Sequence, residues 1–173
     1  MVFDCEKSTI SQISDRLFIG NYESLRDEII KNHNIDAIVL ASTGLEPGNL
    51  AKKCSFVNLA MTEEQGENIG PKLIKGAQFI NHKLKGQKNV LVTCFFGMNR
   101  SVSVVITYLM LYRNLSYDDA YALVKLKRPM ASPINSYIEG IKKCVDHVRS
   151  TRCDLTKNSV PEESDSLTSR IIG

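Results

Sequence analysis

The chain has 173 residues, 43% of them hydrophobic, and a formal net charge of +3; this suits one domain with a full core. The charge is compatible with an anionic substrate and too small to indicate nucleic acid. Five cysteines at positions 5, 54, 94, 144 and 153 form no C-x-x-C pair, which argues against a disulfide framework or zinc site and for a reducing compartment.

Ile13 to Ile19 alternates apolar and polar residues and reads as a strand ending in a turn at Gly20-Asn21. Ser24 is the expected cap of a helix carrying Leu25, Ile29 and Ile30. Ile35 to Leu40 suits a buried strand, Gly44 to Gly48 a loop, and Ser55 to Ala60 another strand. Met61 to Gly70 is polar and acidic and is expected to be an exposed loop. Pro71 opens a helix whose apolar face is Leu73, Ile74, Ala77, Ile80 and Leu84, and Gly86 ends it.

Val90 to Thr93 is the expected central strand, followed by a strongly apolar helix from Ser101 to Tyr112. Ser116 caps the next helix, with Asp118 and Asp119 in its first turn and Ala120, Leu123, Val124 and Leu126 as its apolar residues. Arg128-Pro129 closes that helix, and the run Lys125 to Arg128 is expected to be a solvated helix face. Ser132-Pro133 begins a last helix through Ile138, Ile141, Val145 and Val148. Strands alternating with helices imply an α/β fold with a ligand site at the carboxyl end of a strand. The expected plan is an extension over residues 1–10, a domain over 11–150, and a polar, disordered tail over 151–173.

The segment from Val90 to Ser101 carries the chemistry. A β-rich run ends in Cys94, Arg100 follows at the start of a helical pattern, and Gly97 lies between them. Amides of so short a turn, together with a helix N-terminus, can face one small anion. The same surroundings favour a thiolate over a thiol. Arg100 supplies a fork that matches two phosphoryl oxygens. In-line attack by the thiolate would form a phosphocysteine that water then hydrolyses, with no metal and no cofactor required. Ser101 can donate its hydroxyl to the sulfur as the thiolate re-forms. A cysteine at a strand end is more often a small buried hydrophobe; the strand, glycine, serine and helix around this one reverse that reading.

This loop resembles the signature of the cysteine-dependent protein tyrosine phosphatases, most closely their compact dual-specificity branch. Ile13 to Asn21, Ile35 to Leu40, Tyr108 to Met110 and Ala120 to Tyr137 are similar to other segments of that branch. The resemblance covers roughly residues 10 to 148. It implies a phosphotyrosine protein phosphatase-like fold, with a central, mostly parallel sheet of four or five strands flanked by helices. It also implies that Cys94 is the nucleophile, Arg100 the phosphate clamp, and Phe95, Phe96, Gly97, Met98 and Asn99 the amide cradle. At least one of Phe95 and Phe96 is expected to pack beneath the loop.

Three positions depart from the family pattern. Thr93 stands where the family usually has histidine, and threonine cannot become cationic. The family protonates the leaving alcohol with an upstream aspartate on a mobile loop, but no Asp occurs between Asp36 and Asp118. Glu63 takes that position, with Glu64 beside it. Ile134 follows Pro133 where the family often has Asn.

The expected function is a dual-specificity protein phosphatase acting on phosphorylated proteins, with a shallow site. It is expected in the cytoplasm, with access to the nucleus, and without a membrane association. One alternative is a pseudophosphatase that binds phosphorylated partners without turnover. A less favoured one is an RNA 5′-phosphatase, suggested by Gly97-Met98-Asn99-Arg100, although the chain lacks a dense basic stripe.

Overall fold

A computed structural model describes residues 9–157. Its centre is a five-stranded sheet of β1 (Ile10–Ser14), β2 (Leu17–Gly20), β3 (Ala37–Leu40), β4 (Ser55–Asn58) and β5 (Val90–Thr93). The strand order is β1-β2-β5-β3-β4. Only the β1–β2 pair is antiparallel, and the other pairs are parallel. The α/β class and the mostly parallel sheet are as expected.

β5 lies between β2 and β3, and all four of its residues are buried. A strand covered on both faces needs a continuous apolar run, which Val90-Leu91-Val92 provides. Thr93 is in register with Gly20 on one side and Leu40 on the other. Three strands therefore finish level, and the segment after β5 emerges at the carboxyl edge of the sheet, where ligand sites of such folds lie.

The helices are α1 (Asp27–Asn32), α2 (Gly70–Lys85), α3 (Arg100–Tyr112), α4 (Tyr117–Lys127) and α5 (Asn135–Lys157). One sheet face packs Ile19, Val39 and Val92 against residues of α2 to α5, including Leu73, Val105, Val124 and Ile141. The other face packs Phe18, Ile38 and Leu91 against Ile30 of α1 and Leu50. Residues 101–111 of α3 are all buried, so this helix is covered all round and fills the middle of the first layer; Thr107, one of its few polar residues, bonds to the Ser103 carbonyl at 2.8 Å. Gly76 allows α2 to approach it closely. A Cβ there would come within 2.7 Å of Val104 and 2.9 Å of Leu59.

Several boundaries differ from the sequence expectation. The strand read over Ile13 to Ile19 is two strands of a hairpin, because Arg16 takes a left-handed conformation (φ 59°) and turns the chain. Ile10 already belongs to β1 and is buried, so the sheet begins inside the expected extension. Ser24 does not cap α1. It lies in a 3-10 turn (Tyr22–Leu25) capped by Asn21, whose side chain accepts from the Glu23 amide. Ser116 does cap α4, accepting from the Asp119 amide at 3.1 Å. Leu126, expected on the apolar face of α4, is exposed. The last helix runs on to Lys157, beyond the expected boundary at 150; the rest of the expected tail and most of the extension lie outside the described residues. Among the described residues, no helix is long and apolar enough to cross a membrane.

Gly76→Val should overpack the α2–α3 contact. Urea denaturation is expected to show a loss of about 1–3 kcal/mol; an unchanged midpoint would mean the helices can part at little cost.

Candidate active site

The chain leaves β5 at Cys94 and enters α3 at Arg100, and the five residues between them wrap into a tight loop. Gly97 makes the wrap with φ at +66°, a conformation that suits glycine. A Cβ at Gly97 would also collide with the Arg128 guanidinium and the Gly20 carbonyl. In this arrangement the Gly97 amide donates to the Cys94 sulfur at 3.2 Å. The Ser101 hydroxyl lies 3.1 Å from the same sulfur. The N-terminus of α3 adds its positive end to the loop. Cys94 is 1% exposed and borders a cavity of about 270 Å³, also lined by Glu63, Phe96, Met98, Asn99 and Arg100. A larger cavity, about 640 Å³, lies beside α1 and shares no residue with this bowl.

The loop is held from outside by three segments. Arg128 donates through Nε to the Gly97 carbonyl at 2.6 Å and through an Nη to Ser11 at 3.0 Å. The Ser132 amide donates to the Met98 carbonyl at 2.8 Å, and the Tyr22 amide to the Phe95 carbonyl at 3.1 Å. Arg128 is wholly buried, which corrects the expectation of a solvated face at that residue; Lys125, Leu126 and Lys127 are exposed, as expected of that run. Burial lowers its pKa to about 10, and the nearby Cys94 works in the opposite direction. The guanidinium therefore stays charged at neutral pH. A signal for this was present in the sequence: Ala120, Val124 and Arg128 are spaced by four, which places them on one helix face. Ala120 and Val124 are the buried residues of α4.

Thr93 is fully buried and ties the end of β5 to the chain after β2. Its hydroxyl donates to the Asn21 carbonyl at 2.8 Å. Ser24 lies 3.4 Å from it and donates at 2.6 Å to the same carbonyl.

Glu63 reaches the rim of the bowl. Its Oε1 accepts from the Asn99 amide nitrogen at 2.9 Å. Arg100 Nε is 3.4 Å from the same oxygen, an ion-pair distance without hydrogen-bond geometry. Arg100 also donates to Ser42 Oγ at 2.6 Å. Asn99 uses its carbonyl oxygen to accept from the Ile134 amide at 3.1 Å. One side chain thus bridges the signature loop, the acidic segment and the segment before α5. Sequence reading had placed Asn99 only in the amide cradle. Glu64 does not line the bowl; it borders a separate pocket with Gly66 and Tyr137.

The acidic segment is pinned rather than loose. Glu67 accepts from the Thr62 amide at 2.8 Å and from Lys72 at 2.5 Å. Lys72 also donates to the Ala60 carbonyl at 2.7 Å. Burial by itself would raise the Glu67 pKa, but the bonds from Lys72 and Thr62 outweigh it and hold the carboxyl below its usual 4.5. Tyr137 donates to the Thr62 carbonyl at 2.5 Å. Burial, reinforced by the Glu67 charge, raises the pKa of that phenol.

Neither aromatic of the loop packs beneath it. Phe95 is 43% and Phe96 66% exposed, which corrects that expectation. Cys54 and Cys144 are buried and free and donate to the Ile35 and Ile141 carbonyls. Burial raises both thiol pKa values, that of Cys144 to about 11. Neither lines the bowl. Among the described residues, no group of His, Cys, Asp and Glu could hold a metal ion.

Residues 17–151 match the family model of the dual specificity phosphatase catalytic domain. Dual specificity protein phosphatase MPK-4 of Drosophila melanogaster is 34% identical over 147 residues, covering 81% of this chain and 37% of the relative. Dual specificity protein phosphatase 22-B of Danio rerio is 30% identical over 126 residues, covering 72% of this chain and 67% of the relative. The chain thus spans little more than a third of the first relative. The structure of human DUSP28 superposes with a TM-score of 0.74 at 21% identity, covering 81% of this chain and 95% of the other. A human tyrosine phosphatase-like serine/threonine/tyrosine-interacting protein gives a TM-score of 0.72 at 23% identity, covering 84% and 99%. These two structures bear on the fold.

Arg128→Met leaves the Gly97 carbonyl without its buried donor. It should lower stability by about 2–4 kcal/mol in denaturant titration; a loss under ~0.5 kcal/mol would assign the loop's support to other contacts. The lowered Glu67 pKa gives a second expectation. A depressed carboxyl contributes stability above its unfolded pKa and loses that contribution as pH falls through the folded value. The melting temperature should therefore drop as pH falls below about 4.5, by about 2–4 °C more in the wild type than in Glu67→Gln. Parallel curves for the two proteins would contradict this.

Proposed function

The chain belongs to the dual specificity phosphatase family, and from that premise we propose that it hydrolyses phosphotyrosine and phosphoserine/threonine in proteins through a phosphocysteine intermediate. The observation that carries this reading is the convergence on one bowl of the Cys94 sulfur, Arg100 and Glu63.

In this reading the Cys94 thiolate attacks phosphorus while the bond to the leaving oxygen breaks. The Gly97 amide and the α3 N-terminus favour the negative sulfur. The loop amides and Arg100 take the phosphoryl oxygens as negative charge develops on them. Arg100 lines the bowl and is held by Ser42 and Glu63 in the free protein; in this reading its guanidinium turns from them to the phosphoryl oxygens. Glu63 gives its proton to the leaving oxygen and, as a carboxylate, takes one from the water that attacks phosphocysteine. Asn99 positions that carboxyl. The Ser101 hydroxyl donates to the sulfur as the thiolate departs. The bowl is open and walled by Phe96, Met98 and Ile134, an arrangement that suits both an aryl and a short alkyl phosphate.

A second reading is favoured by a specific contact. Glu63 is engaged by Arg100 and Asn99 instead of standing free to deliver a proton, and Thr93 supplies no cation. A domain with these features can hold a phosphorylated partner without turnover. The RNA reading rests on Gly97-Met98-Asn99-Arg100 alone, and Arg128, being buried, adds nothing to an exposed basic surface.

Release of inorganic phosphate from an aryl phosphate separates the first two readings, since an aryl leaving group needs little help from an acid. Wild type should turn over, and Cys94→Ser should fall roughly a thousandfold or more. Glu63→Gln should lose ~100-fold on a phosphoserine peptide and much less on the aryl phosphate. A flat wild-type trace from pH 5 to 8 would leave the binding reading in place.

A further inference from the structure

The bowl opens onto an apolar rim. Five of the seven large hydrophobic side chains left exposed among the described residues are Tyr22, Phe95, Phe96, Met98 and Ile134. Phe96, Met98 and Ile134 line the bowl, and Phe95 and Tyr22 continue from Phe96 beside it. The Tyr22 amide is bonded to the Phe95 carbonyl, and the Ile134 amide to the Asn99 side chain. Isolated exposed apolar side chains need no explanation, but a contiguous group beside a binding cavity does.

The rings form a row. Phe96 lines the cavity with Cys94. Its centroid lies 5.6 Å from that of Phe95, which lies 5.4 Å from that of Tyr22. An extended peptide presents every second side chain to one face, at a spacing of about 6.6 Å. The row is therefore spaced to meet two same-face side chains of a bound strand. The first enters the bowl past Phe96, and the second falls over the Phe95–Tyr22 pair. Arg26, four residues from Tyr22, is paired with Glu23 at 3.4 Å. The hydrogen bond between Tyr22 and Phe95 fixes the backbone under the row, which lowers the ordering cost of binding.

We propose that the Tyr22–Phe95–Phe96 row selects phosphorylated proteins that carry a large apolar residue two positions from the phosphorylated one. The inference rests on the reading that the bowl receives a phosphorylated side chain. It names the class of sequence that the same site prefers, and it assigns Tyr22, outside the signature loop, as a specificity residue.

The test uses labelled phosphotyrosine peptides that differ only two positions before or after the phosphotyrosine, with Leu, Ser or Asp there. Affinity is measured on the full chain bearing Cys94→Ser, so the result does not depend on turnover. The Leu peptide should bind about tenfold more tightly than the Ser peptide, with Asp no better than Ser. Adding Tyr22→Ser should shrink that preference to less than threefold. Equal binding of the Leu and Ser peptides, preference for Asp, or a preference unmoved by Tyr22→Ser would overturn the inference while phosphate-dependent binding preserved the reading of the bowl. Binding no tighter than that of unphosphorylated peptides would overturn both.

Discussion

The buried guanidinium of Arg128 is the contact on which the rest of the site depends. Taking a charge out of water costs several kcal/mol unless hydrogen bonds replace the lost solvent. Here they are supplied by Gly97 of the signature loop and Ser11 of β1. The loop therefore has its shape only when the first strand and the end of α4 are both in place. Gly97 must be a glycine on the same account: its left-handed backbone turns the amide to the Cys94 sulfur, and the guanidinium fills the space a side chain would take. Cys94, nearby, works against the burial that lowers the pKa of this guanidinium.

Much of this was legible in the sequence, for reasons that can be traced to particular residues. Val90-Leu91-Val92 reads as a doubly buried strand because no polar residue interrupts it, and α3 reads as a helix because its apolar stretch is too long for a strand. The Cys94-to-Arg100 spacing marked the bowl. Other features depended on partners distant in sequence. Arg128 stood at the end of a run of lysines, and its charge concealed its register with Ala120 and Val124. At least one of Phe95 and Phe96 is expected to pack beneath the loop, yet the tight turn at Gly97 leaves both rings exposed. The hairpin at Arg16 was missed because its turn contains no glycine, although Asp15 and Arg16 both suit a surface turn.

The segment that carries Glu63 belongs to the same framework. Tyr137 holds Thr62, Lys72 holds Ala60, and Glu67 closes the segment on itself through Thr62 and Lys72. A family whose acid rides on a mobile loop is represented here by a loop latched at both ends. Asn99 adds a contact from the signature loop to Glu63. Its position next to Arg100 means that the proposed phosphate clamp and the group holding the carboxylate are neighbours in the chain. Ile134 takes part through its backbone amide, so the residue type at that position matters less than the hydrogen bond it donates.

Thr93 carries a consequence for how this chain can change. The space beside it is filled by Ser24, which is itself fully buried and occupies the volume that a side chain at Gly20 would need. Histidine is larger than threonine, and forcing it into this position would overpack a site with no slack. Ser24, 3.4 Å from the Thr93 hydroxyl, is the side chain an imidazole at this position would crowd, and with Gly20 already bare it alone can give way. The short hydroxyl at 93 and the small residues around it thus form one packing unit, in which a change at one member constrains the others.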